Sequence, residues 1–69
     1  MKKTIEFRTR TITEASLVSE QLRQYCLRYS STLTPIKQDE HIQCEFNDFT
    51  DYARFRVVWT GCAYREVNS

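Results

Sequence analysis

The sequence is poor in the residues around which most recognisable active sites are built. Its 69 residues hold one glycine, Gly61, and one proline, Pro35. A dinucleotide-binding fingerprint, a Walker loop and a G-x-S-x-G nucleophile elbow each need at least two glycines, so all three are excluded. There is one histidine, His41, and the three cysteines Cys26, Cys44 and Cys62 include no C-x-x-C pair. An odd number at wide spacing does not make a disulfide framework. No stretch approaches the roughly 20 apolar residues of a membrane span. Glu6, Arg8 and Arg10 interrupt any apolar core of a signal peptide. The expectation is a reduced, cytoplasmic protein with no membrane segment.

What is present suits a folded chain. Hydrophobic residues make up 41% and aromatics 13%, enough to fill a core when each ring buries a large area. A chain of this length nevertheless buries only about 60% of its unfolded surface, which makes a second subunit, and so a homodimer, an expectation. The net charge of +1 gives no global signal for nucleic acid or lipid. The charge is blocky, however. Lys2, Lys3, Arg8 and Arg10 face only Glu6 in residues 1–12, whereas Asp39, Glu40, Glu45, Asp48 and Asp51 face only Lys37 in residues 36–51. Arg54, Arg56 and Arg65 then return the balance to positive.

Residues 3–12 alternate, with Ile5 and Phe7 on one side and Thr4, Glu6, Arg8 and Arg10 on the other, which predicts a half-buried strand. Thr11 or Thr13 offers a helix N-cap, with Glu14 near the positive helix end. Ala15, Val18, Leu22, Tyr25, Cys26, Tyr29 and Leu33 then follow spacings of three and four, which predicts a helix over residues 14–31. Leu17 and Leu27 fall away from the centre of that stripe. Ile42, Cys44 and Phe46 alternate again as a second strand. Asn47–Asp51 has turn composition, with a short helical turn capped by Asn47 as the weaker alternative. The period-two pattern of Ala53, Phe55, Val57 and Trp59 predicts a third, central strand, and residues 62–67 allow a short edge strand. The fold expected is α+β: one 69-residue β-α-β-β domain, with a three-stranded or four-stranded, mainly antiparallel sheet in the order 1-3-2 and one helix across one face. A pairing of Glu45 with Arg54 fits that hairpin. Element order alone resembles ferredoxin-like half-folds and RNA-recognition modules, and such likeness carries no function.

Candidate chemistry is thin. His41 and Cys44 are three apart on a strand and so face opposite sides, which argues against a shared metal ion or a cysteine–histidine pair. Cys26 and Cys44 read as small buried hydrophobes, and Cys62 as the most exposed thiol. The carboxylate pairs Asp39–Glu40 and Asp48/Asp51 read as solvated acidic loops. No catalytic residue, cofactor or metal is expected. The constellation with most to offer is Arg8, Arg10, Tyr52, Arg54 and Arg56, placed together on the sheet face opposite the helix. Val58 and Tyr64 join that face as candidate interface residues. Tyr and Arg are the residues that anchor protein interfaces. The leading expectation is therefore a non-enzymatic module that binds and regulates or inhibits a protein partner, as a small accessory or viral protein would. The alternative is nucleic-acid binding by the same basic and aromatic face, although the K/R-G-F/Y signature is missing.

Overall fold

The computed structural model describes residues 2–38 and 41–67, the side chains at 37 and 38 excepted. The elements run β1 (Lys3–Arg8), α1 (Ile12–Tyr29), β2 (Thr34–Gln38), β3 (His41–Phe46), α2 (Phe49–Val58) and β4 (Arg65–Val67). The four strands form one antiparallel sheet in the order β2-β3-β1-β4. Each half of the chain thus joins two parallel strands through a helix and leaves room between them for a strand of the other half. That split β-α-β connectivity is the strand order of ferredoxin-like domains. It is an α+β fold, as the alternation of periods implies.

α1 forms where the spacing places it. The Thr11 side chain accepts a bond from the Glu14 amide at 3.0 Å, and the Glu14 carboxylate accepts one from the Arg10 amide at 2.6 Å. These two bonds satisfy donors that a helix start would otherwise leave open. The helix ends at Ser30, which adopts the left-handed conformation with φ 54°. Ala15, Val18, Leu22 and Tyr25 are its buried stripe.

The third strand expected over residues 52–59 is instead α2, and the central strands are β1 and β3. Asp48, rather than Asn47, caps α2 by accepting from the Thr50 amide. Both periods fit this segment, because Tyr52, Phe55 and Val58 recur at three as cleanly as Phe55, Val57 and Trp59 recur at two. The cap and the core decide the matter. The helix buries Asp51, Tyr52 and Phe55 together and leaves Val57 82% exposed, which a central strand would not do. The Glu45–Arg54 pairing and the 1-3-2 order fall with that strand. Glu45 lies opposite Thr4 and Thr34 and forms an ion pair with Lys2 at 3.4 Å. The second helix also supplies the layer that a single helix would have left incomplete. The edge strand expected within residues 62–67 is present as β4.

One core cluster lies between the sheet and the helices: Ile5, Phe7, Ile42, Cys44 and Phe46 from the strands, Ala15, Val18, Leu22 and Tyr25 from α1, Tyr52 and Phe55 from α2, and Leu33. Val58 and Tyr64 pack against it rather than on the open sheet face, and Tyr64 meets the rings of Phe7 and Phe55. Asp51 is part of this architecture and not a solvated loop residue. It is 7% exposed and accepts bonds from the Ser31 hydroxyl and the Thr32 amide, tying α2 to the end of α1. The Asp39–Glu40 pair lies outside the described residues.

Candidate functional site

The five residues expected to form one basic face do not share one face, and of them Tyr52 and Arg56 are in contact. Arg8 lies on the open sheet face, where Glu6 accepts from its Nε at 3.2 Å and from Arg65 Nε at 2.9 Å. Arg10 belongs to the turn before α1. Tyr52, Arg54 and Arg56 are on α2, on the other side of the sheet. Tyr52 is buried, its hydroxyl donates to Glu66, and the cations of Lys3 and Arg56 stand 5.8 and 5.9 Å from its ring centre. Burial, then the bond to Glu66, pushes its phenol up to about 12. Arg56 pairs with Glu66 at 3.6 Å. The open face of β1 and β3 presents Thr4, Glu6, Arg8, His41, Gln43 and Glu45, while Phe7 and Phe46 turn inward. No phenyl or indole ring stands on those two strands' open face to stack a base.

The feature with recognition chemistry is a groove of about 420 Å³ between α1 and the segment following α2. Tyr25, Arg28 and Tyr29 line it from α1, and Val58, Trp59 and Gly61 from the opposite side. The α1 period puts Gln21, Gln24 and Arg28 on one flank of the helix, beside the buried stripe. The facing wall is fixed in place. Trp59 stacks on Phe55 at 4.8 Å and meets Phe7 edge-on at 5.6 Å. Its indole N–H donates to the Cys62 carbonyl at 2.8 Å, and the Cys62 amide donates to Gln21 Oε1 at 3.2 Å. Gly61 is needed there for close approach and not for a left-handed turn. A Cβ at this position would lie 2.6 Å from both Gln21 Oε1 and the Trp59 ring.

The other end of the groove is aromatic and cationic. Tyr25 and Tyr29 are 4.9 Å apart, the Arg28 guanidinium stands 5.8 Å from the Tyr29 ring centre, and Arg54 donates to the Tyr29 carbonyl at 3.1 Å. The Tyr25 hydroxyl is buried with no hydrogen-bond partner among the described residues. Burial, then nearby Asp51, pushes its phenol up to about 12. Glu20 is the one carboxylate of the lining among the described residues, and it is occupied by Arg23 at 2.6 Å and Gln24 at 3.1 Å. These contacts, Arg23 foremost, hold its carboxyl below the usual range.

Of the five expected residues, Arg54 alone adjoins this groove. The period-two reading of residues 52–59 puts Trp59 on a strand away from α1, so it does not gather Arg28, Tyr29 and Trp59. Their available signal was the flank of α1 carrying Gln21, Gln24 and Arg28 beside the tyrosines. Among the described residues, no group of three or more His, Cys, Asp or Glu is gathered as metal ligands. His41 and Cys44 lie on opposite faces of β3, and burial pushes the Cys44 thiol up to about 12. No helix among the described residues is long and apolar enough to cross a membrane. No protein-family model matches the chain, and comparison with curated proteins and with solved structures finds no match.

Proposed function

We propose that this protein is a non-enzymatic binding module that regulates or inhibits a protein partner, taken at the groove between α1 and the segment after α2. The observation that carries this reading is the meeting of Tyr25, Tyr29, Trp59 and Arg28 around one groove whose far wall is already fixed. Tyr, Trp and Arg dominate interface energetics, and a pre-organised wall loses little entropy on binding. Nucleic-acid binding through the sheet is the weaker reading. It needs exposed stacking rings, and the open face offers Glu6 and Glu45 in their place. The odd, widely spaced cysteines favour a reducing, cytoplasmic setting.

The homodimer suggested by the chain's small size belongs to the same proposal, but sheet extension is a poor route to it. Pro35 interrupts the donor row of edge strand β2, and β4 at the other edge has three residues.

The test is capture from native-host lysate with wild-type protein and an Arg28→Glu/Tyr29→Ala variant, reading both protein and nucleic acid. The expected result is a protein recovered by the wild type and lost by the variant while both keep the same circular dichroism. Equal recovery by both baits, or recovery of nucleic acid alone, overturns the reading.

A further inference from the structure

We infer that the groove recognises a short acidic segment of its partner, anchored by one apolar side chain. This rests on the proposed protein-binding role and adds the chemistry of the occupant.

Charge is the first support. Arg28 and Arg54 approach Tyr29 from two different helices, and among the described residues neither meets a carboxylate. The negative end of α1 lies near them and offsets about half a charge. The full charge of Arg28, the arginine that lines the groove, exceeds that. Glu20 cannot make up the difference, since Arg23 takes both of its oxygens and Gln24 shares one. Asp51, buried and bonded to the neutral donors of Ser31 and Thr32, keeps its charge and offsets that of Arg54 on the same helix, which leaves Arg28 as the unmatched cation. The groove therefore keeps an uncompensated positive end, which an incoming carboxylate would complete.

The apolar requirement comes from the opposite end. Trp59 and Val58 border the groove, and Leu17, 52% exposed, precedes Gln21 by four residues on the same flank of α1. Leu17, Gln21, Gln24 and Arg28 thus form one stripe that begins apolar and ends cationic. From Gln21 to Arg28 the helix rises about 10 Å, the length of about three extended residues. An apolar side chain against Trp59 and a carboxylate at Arg28 can therefore belong to one short segment. A basic or uncharged segment would leave the cationic end unmatched.

Trp59 is the only tryptophan in the chain, so its emission reports occupancy directly. The test pans a random peptide library against the full chain and titrates the enriched peptides by Trp59 fluorescence. Enriched peptides should pair Asp or Glu with a Leu, Ile, Phe or Trp close by, and should change Trp59 emission. Arg28→Glu should weaken them about tenfold, and replacing the peptide carboxylate by Lys should restore binding to that variant. Tyr29→Ala serves as a second, charge-neutral variant of the same groove. Enriched peptides that depend on Tyr29 but are neutral or basic overturn the acidic assignment and leave the protein-binding reading standing. Peptides indifferent to both variants, or oligonucleotides that quench Trp59 in their place, overturn both.

Discussion

The open face of the sheet and the groove on its helical side hold similar side chains and use them differently. On the sheet, Glu6 lies between Arg8 and Arg65, and Lys2 is met by Glu45. The bond from Arg8 is the largest influence on Glu6 and holds its carboxyl below the usual range against the opposing effect of burial. At the groove, among the described residues, Arg28 and the adjoining Arg54 find a ring and a carbonyl but no carboxylate, and the Tyr25 hydroxyl finds no hydrogen-bond partner. The chain's near-zero net charge hides this division. A surface whose charges are met internally has little left for a partner, so the proposed binding groove rests on this contrast rather than on a count of arginines.

The strongest way to break the contrast is to remove what holds the groove's cationic end together. Asp51 accepts from Ser31 and Thr32 immediately after α1, and the same helix brings Arg54 to Tyr29. Asp51→Ala should cost about 2–3 kcal/mol, since it strips charge-assisted bonds from partly buried donors. Urea unfolding measures the cost, and faster hydrogen exchange at the Thr32 amide would localise it. A loss under about 0.5 kcal/mol, the level of an ordinary surface substitution, would show that the helices meet without this tie.

How much of this was readable in the sequence follows from how many neighbours each element needs. β1, α1 and β3 were readable, because Ile5/Phe7, Val18/Leu22/Tyr25 and Ile42/Cys44/Phe46 each repeat at a single period. β4 was open to an edge-strand reading. α2 was not readable by period, since Phe55 fits both patterns and Val57–Trp59 has strong strand propensity. The local clue was Asp48 with Asp51 three residues on, a cap followed by an acid in the first turn. β2 carries Pro35 and too little alternation to stand out. A strand reading of this segment also puts Tyr52, Arg54 and Arg56 on the open side of the sheet and takes Trp59 away from α1, whereas the helix carries the first three on its own side.

A smaller effect is expected where the groove wall is built by close approach. Gly61→Ala would place a methyl against Gln21 Oε1 and the Trp59 ring, and overpacking of this kind costs about 1–3 kcal/mol. Trp59 emission should shift to the red as the indole loosens from Phe55 and the Cys62 carbonyl, and the enriched peptides should bind more weakly. The sheet-face ion pairs should be untouched. Unchanged emission would mean that the Gln21 side chain yields and that the wall is less fixed than its bonds imply.

The smallest effects sharpen the comparison through their opposite signs. Tyr25 is 6% exposed and its hydroxyl has no partner among the described residues, so Tyr25→Phe removes a buried polar atom and keeps the rings against Phe55 and Trp59. Stability near neutral pH should rise by about 1 kcal/mol or less. Glu6→Gln removes the charge that binds Arg8 and Arg65 and should lower stability. Their pH dependences separate them further. The Tyr25 phenol is raised from 10.0 to about 12 in the folded chain because burial disfavours the phenolate, so it adds no pH dependence below pH 10 and costs the wild type stability as pH rises from 10 towards 12. Tyr25→Phe should therefore resist alkaline unfolding better than the wild type, with Tyr52 and Cys44 still titrating in both proteins. Glu6 is shifted the other way, below 4.5. Its contribution is present above that value and fades as pH falls through the lower folded value, so the gap between wild type and Glu6→Gln should close in acid. Urea midpoints measured from acid to alkaline pH decide the matter. Two substitutions of the same sign at neutral pH would mean that the groove is as internally satisfied as the sheet, and the division of labour between the two faces would be lost.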